Sequence, residues 1–382
     1  MRSLRITGGQ TLLADGLAPA GDVLLAGGRI ESVGSGRPGD LALDATGLLV
    51  LPGIVDIHGD AFERQMQPRP GIDFPADLAL RDTEAQLLAN GITTAFHGVT
   101  LSWEPGLRSL EAWRRLLGAL EAGQWTCDMR VHLRWEAFNL DALDAAVADI
   151  AAGRVHLLAF NDHTPAILQK LKDPVAAAKY SDRAGMKLDA FRTLAAEIGA
   201  RADSVSAGLA RLGAAARAAR LPMASHDDDS LARRTMFRDL GARICEFPIA
   251  EDVGQAAREA GDFVVMGSPN VVRGRSHLGW ASAAVLAEAG ICNVLSSDYF
   301  YPAMSRAALI LAGRGVLDLA QAWALISSNP AAATGLADRG RIAPGCRADI
   351  VVIDPGTARA VATIAGGQIA HATQDGWSRL TL

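Results

Sequence analysis

The sequence predicts an α/β fold: a (β/α)8 barrel of the TIM type, with a small β-sandwich domain formed by the N- and C-terminal segments. Two observations carry this reading. Eight short apolar runs ending in polar or ionisable residues alternate with Ala/Leu/Arg-rich stretches of helical periodicity. Both chain ends instead read as short strands punctuated by Gly, Pro and Asp. With 382 residues, 49% hydrophobic and 21% charged, the chain can bury a large core, and global disorder is excluded.

The terminal strands are LRITGGQTLL, DVLLAGGRIESVG and LALDATGLLV at the start, and RIAPGCRADIVVIDP and ATIAGGQIAHA near the end. They are expected to pair, so that 1–50 with 340–382 forms the β domain and 51–339 the barrel. The barrel strands are LLVLPGIVDIHGD, ITTAFHGV, MRVHLRWE, VHLLAFNDH, LPMASHDDD, ARICEFP, FVVMGSPN and CNVLSSDY. Helical intervals such as LRSLEAWRRLLGALEAG and VSAGLARLGAAARAARL carry a periodic apolar face. The span 164–203 is too long for a simple connection and is expected to form a lid-like insertion at the exit of the fourth strand.

The net charge of −5 excludes a generally basic nucleic-acid binder. No stretch approaches ~18 uninterrupted apolar residues, so no membrane span is expected. The start lacks the layout of a signal peptide. Cys127, Cys245, Cys292 and Cys346 are far apart and form no CxxC, which suits a reduced, cytoplasmic compartment. A small-molecule partner is expected, with no nucleic acid and no membrane; self-association as a homo-oligomer stays open.

The chemistry lies at the strand ends. His58 and Asp60 end the first barrel strand, Glu136 the third, Asp162 and His163 the fourth. His226 with Asp227, Asp228 and Asp229 ends the fifth, and Asp298 the eighth. A barrel brings these ends to one mouth, where imidazoles and carboxylates together form a ligand set for one or two divalent ions, Zn²⁺ first among them. The expected ligands are His58, Asp60, Glu136, His163, His226 and Asp298. Asp298 is also the expected general base toward water. A solvated loop remains the alternative for the HDDD run. His97, His132 and His156 read as structural, and His371 lies in the terminal β domain.

Anion-binding candidates accompany this set. MGSPNVVRGRSHLG, read as a flexible loop after the seventh strand, offers Asn270, Arg273 and His277. Arg134 shares the face of Glu136 by strand alternation. Arg69 lies in QPRPGIDFP after the first strand, and Asp227 is a further substrate-binding candidate beside His226. Only four of the 37 basic residues are lysines: Lys170, Lys172, Lys179 and Lys187, all within one 18-residue window. Lys170 and Lys172 are candidates for a polyanionic ligand; a solvated helix accounts for the window equally well.

LPGIVDIHGD, the terminal IAPGCRADIVVID and the strand-eight Asp resemble the amidohydrolase superfamily of metal-dependent hydrolases. Within it, PGIVDIHGDAFERQMQPRPGIDFP, HLRWE, NDHTP, ASHDDD, EFP, MGSPNVVRGRSHLG and SSDY are similar to the M-component family of the carbon–phosphorus lyase pathway. That resemblance implies a hydrolase cleaving the α–β phosphoanhydride of α-D-ribose 1-methylphosphonate 5-triphosphate, a phosphorylated sugar phosphonate, to the 5-phosphate and diphosphate. It also implies that Glu136 bridges the ions, since no lysine stands at a strand end. One departure is that DHTP continues as AILQKLKDP rather than the family's Gly-Gln-Arg-Gln-like stretch, which bears on how the distal phosphates are held. The alternatives are the same scaffold acting on a C–N or amide bond of another anionic substrate, and a non-catalytic docking partner.

Overall fold

The computed structural model describes every residue except 1, 20, 35, 70, 275–281 and 382. Eight parallel strands form one sheet: β1 (Ile54–Gly59), β2 (Ile92–Leu101), β3 (Asp128–Glu136), β4 (Leu157–Asn161), β5 (Met223–His226), β6 (Ile244–Glu246), β7 (Phe263–Gly267) and β8 (Val294–Ser296). Each pairs with the next in sequence order, so the alternating pattern gives the expected (β/α)8 barrel. Side-chain alternation divides each strand between two cores. Phe96, Leu157, Ala159, Ala224, Ile244, Val265 and Val294 fill the barrel axis. Their neighbours Leu158, Phe160, Cys245, Val264 and Leu295 pack outward against the helices.

The chain ends form two further sheets. One holds Leu4–Thr7, Val23–Ala26, Arg29–Val33, Leu41–Asp44 and Leu380–Thr381. The other joins Gln10–Leu13, Gly16–Ala18 and Leu49–Pro52 to Ile350–Asp354, Arg359–Ala365 and Gln368–Ala372. Leu4, Ile6, Val23 and Leu43 of the first meet Val50, Ile350, Val352 and Ile364 of the second in a shared core, which makes a β-sandwich.

Two local expectations are corrected. LLVLPGIVDIHGD is not one strand. Leu49–Pro52 pairs with Ile350–Ile353 in the sandwich, and the barrel begins at Ile54. Gly53 marks the crossing, where an added Cβ would lie 2.4 Å from Thr93 Oγ1 and 3.0 Å from Asp349 Cβ. The run after β7 is not an open loop at its start either: Ser268–Arg273 is helical, with Pro269 in its first turn where a missing N–H costs nothing.

The insertion after β4 is three helices, Thr164–Lys170, Pro174–Ala184 and Leu188–Gly199. Asp173 caps the second by accepting from the amides of Val175 and Ala176, and Gly185 ends it at φ +64°. Trp103, beyond β2, anchors this layer. Its Nε1 donates to Thr164 Oγ1 at 2.8 Å, and its ring packs 5.7 Å from that of Phe191.

The barrel closes between β8 and β1 with few ladder bonds of its own. Asp298 N donates to the His58 carbonyl and Asp60 N to the Asp298 carbonyl, both at 2.9 Å. Asp56, wholly buried, accepts from Ser297 N at 3.0 Å, from Ser297 Oγ and from His58 N at 3.3 Å. Burial raises its pKa to about 6, against the opposing Ser297 bonds. Asp56→Ala leaves those donors unpaired in the interior and is expected to cost about 2–4 kcal/mol, against about 1 kcal/mol for Ser297→Ala. Urea unfolding of the two variants measures the difference; equal midpoints would show that the carboxylate does not carry the closure.

Candidate active site

The strand alternation that fills the axis also aims a second layer of residues at the mouth. Arg134 and Glu136 of β3, Asn161 of β4, His226 of β5 and Glu246 of β6 follow the axial residues by two positions or continue their register, with His226 directly opposite Glu246. Beyond the strands, Asp227, Phe247 and Asp298 adopt left-handed φ of 57°, 52° and 55°. Such backbone is costly outside glycine, and three of the five non-glycine cases in the described residues stand at this mouth. Phe247 uses it to set its ring edge 4.8 Å from His58 and 5.2 Å from His226.

Two groups have ligand atoms close enough to hold a metal ion: His58, His226 and Glu246, all buried, and His163, His226 and Asp227. The first fits an ion on its own chemistry. His58 Nδ1 lies 3.0 Å from Glu246 Oε2, yet neither this nitrogen nor either Glu246 oxygen has a hydrogen-bond partner among the described residues. A fully buried carboxylate without a donor is costly, and a divalent cation between it and the imidazoles would satisfy all of them. Burial holds His58 far below the ordinary histidine pKa, with the Arg134 charge adding to the effect, so the ring is neutral as a ligand must be. Burial raises Glu246 despite nearby His132 and His226.

The second group is already internally paired. His163 lies 3.3 Å from Asp227 Oδ2 through Nε2 and 3.2 Å from Glu136 Oε2 through Nδ1. Burial opposes charge on this ring, but the two carboxylates outweigh it and raise its pKa to about 9. Asp227 is held well below the carboxylate range, since His226 and His163 overcome its burial. Glu136 does not enter either group. Its Oε1 accepts from His163 N at 2.9 Å, Thr164 N at 3.2 Å and Thr164 Oγ1 at 3.0 Å, so it orients His163 and seats the first helix of the insertion.

Asp60 and Asp298 share the opposite wall. Asp298 is raised to about 7 by burial and then by the Asp60 charge. Arg134 bridges the walls, with NH1 3.4 Å from Asp60 Oδ2 and NH2 3.1 Å from His226 Nε2. Other expected residues stand further out. Arg69 is exposed at the 69–72 turn, and Arg273 is exposed near the Tyr299 hydroxyl at 3.4 Å. Asn270 Oδ1 accepts from Ala283 N at 3.0 Å, so its side chain holds a backbone turn. Lys170, Lys172, Lys179 and Lys187 are exposed on the insertion. His277 lies outside the described residues. In the HDDD run, Asp228 turns inward to Ser225 and Arg234, and Asp229 faces solvent beside Arg233. His156 serves the backbone by accepting from Val131 N, whereas His132 reaches the site floor, its Nε2 3.7 Å from Glu246.

Glu246 is the residue that sequence reasoning missed. The signal was present: in ARICEFP, Ile244 and Glu246 fall on one face by period two, the same face as the strand-end residues. Arg108 was missed as well. Beyond β2, it sits within the fields of Glu63, Glu104, Asp60 and Glu136.

Fold and mouth together define a barrel hydrolase. The model of the amidohydrolase family matches residues 75–373, and the chain belongs to that family. More particularly, the chain is 32% identical over 321 residues, 81% of its length and 84% of the relative's, to alpha-D-ribose 1-methylphosphonate 5-triphosphate diphosphatase of Escherichia coli (strain K12). Among solved structures it resembles N-acetyl-D-glucosamine-6-phosphate deacetylase from Mycobacterium smegmatis, at 16% identity and TM-score 0.65 over 98% of this chain and 100% of that one. Beta-aspartyl dipeptidase from Fervidobacterium islandicum AW-1 gives 14% and 0.63 over 98% of each chain. These structural likenesses are of fold.

Glu246→Gln and His58→Asn each remove an atom from the buried group, and each is expected to weaken divalent-ion binding by at least ~10-fold. Ion content after dialysis against a weak chelator measures this. Full retention in both variants would move the ion elsewhere in the mouth.

Proposed function

We propose that this enzyme hydrolyses the α–β phosphoanhydride of α-D-ribose 1-methylphosphonate 5-triphosphate, leaving the 5-phosphate and diphosphate, in cytoplasmic phosphonate catabolism. The observation that carries the reading is the 32% identity, across four-fifths of the chain, to a diphosphatase of that substrate. The mouth suits the chemistry. An arginine reaches its centre, which a phosphate ester uses and a neutral amide does not need.

A divalent ion held by His58, His226 and Glu246 would screen phosphate charge and acidify a bound water. Asp298, poised near neutrality by burial, accepts the proton from the attacking water. The water oxygen bonds to the α-phosphorus as the bond to the bridging oxygen breaks, and diphosphate leaves. The guanidinium of Arg134 meets charge developing on the phosphoryl oxygens, while Asp60 fixes the arginine's direction. His163, charged between Asp227 and Glu136, offsets part of the negative charge on the β4–β5 side of the mouth.

Hydrolysis in heavy-oxygen water tests the reading. The label is expected in the sugar monophosphate, and label confined to diphosphate would reverse the direction of attack. A panel of N-acyl and cyclic amide substrates run alongside decides against the anhydride if one of them turns over and the triphosphate does not. Asp298→Asn is expected to lower kcat by on the order of 10²–10⁴ while keeping the fold; near-normal kcat would remove Asp298 as the base.

The lysines are a separate expectation. Replacing Lys170, Lys172, Lys179 and Lys187 with Ala is expected to raise KM more than it lowers kcat, and more for a triphosphate than for a diphosphate. Added salt should narrow the gap to wild type. An unchanged KM would make the window a solvated face of the lid.

A further inference from the structure

The position of Arg134 has a consequence for how the site takes up its ion. Arg134 is nearly buried on β3 and reaches across the mouth to His226 Nε2 at 3.1 Å. A guanidinium only donates, so this nitrogen must carry a lone pair. A neutral ring then carries its proton on the other nitrogen, Nδ1, which lies 3.2 Å from Asp227 Oδ2 but outside hydrogen-bond geometry. His226 then has one lone pair to offer, and Arg134 holds it. His226 is the residue common to both candidate ligand groups. A divalent ion taking His226 needs that same lone pair.

We propose that Arg134 and the divalent ion compete for His226, so that ion entry displaces the guanidinium toward Asp60 and the substrate's phosphates. The inference rests on the proposed function for the phosphates alone; the competition itself needs only an ion in the mouth. In the observed position Arg134 fills the place of a cation, neutralising Asp60 and keeping the ligand ring oriented. That arrangement leaves the Arg134 Nε–H buried with no partner among the described residues, a donor suited to an incoming phosphate oxygen. Position 98 on β2 is glycine, and a Cβ there would stand 3.3 Å from Arg134 Cδ, so the arm crosses close over that backbone. Asp60, at 3.4 Å from NH1, remains within reach when NH2 lets go of the ring.

The test is the affinity of the whole protein for Mn²⁺ or Zn²⁺, read by competition with a chromogenic chelator, in wild type, Arg134→Gln and Arg134→Lys. Competition predicts that Arg134→Gln binds the ion at least ~10-fold tighter. Removing a positive charge would also tighten binding without any contact, and Arg134→Lys separates the two. Lysine keeps the charge but is shorter and cannot span Asp60 and His226 together. The lysine variant is expected to bind nearly as tightly as Arg134→Gln. Wild-type affinity in the lysine variant would overturn the competition, as would no tightening in the glutamine variant. Should Arg134→Gln fail to fold, the lysine variant alone decides. Hydrolysis of the triphosphate with no change of ion affinity across the series would keep the proposed function and lose this inference. The predicted affinity order without triphosphate hydrolysis would do the reverse.

Discussion

The seam between β1 and β8 is the constraint on which the mouth depends. Two strands that share almost no ladder are joined by one buried carboxylate, Asp56, and by the reciprocal backbone bonds of His58, Asp60 and Asp298. Those three residues are also candidates for the chemistry. The closure of the barrel and the placement of its reactive groups are therefore the same event. The left-handed backbone at Asp298 is tolerated because hydrogen bonds on both of its sides determine it.

Electrostatics then sets what the mouth can hold. Burial raises Asp60, Asp298 and Glu246 toward their neutral forms and keeps His58 uncharged. Against this stand Arg134 and the doubly paired His163, with Arg108 beyond β2 within the fields of Asp60 and Glu136. The halves of the mouth differ as a result. On the His58–Glu246 side the buried carboxylate and the His58 Nδ1 make no hydrogen bond among the described residues, while the His163–Asp227–Glu136 side is internally satisfied. The same carboxylate that turns His163 also accepts from the first turn of the insertion, so the insertion and the site share Glu136 as a joint.

The insertion itself is fastened by ordinary packing. Trp103, Phe191 and Tyr180 stack at the β2 exit, and Asp173 and Gly185 bound the helix between them. Among the described residues, the hydrogen bond of its lysines is that of Lys172 to Gln169. All four lysines stand exposed on its surface.

The sequence by itself determined the eight-strand alternation, the sandwich built from both chain ends and the long insertion after the fourth strand, because period-two and helical patterns are local properties of the chain. It also marked the strand ends where His58, Asp60, His226 and Asp298 converge, since a barrel fixes which end of each strand bears the site. Glu246 was legible by the same period and passed over, because a carboxylate followed by Phe-Pro carries no motif of its own. The bonds of Glu136 to His163 and Thr164 were not legible, because they depend on how the first helix of the insertion docks against the end of β3. Nor could a sequence show that Arg134 holds the lone pair of His226, 92 positions away. That contact depends on which ring nitrogen faces which strand, a matter of register and rotamer that only the closed barrel decides.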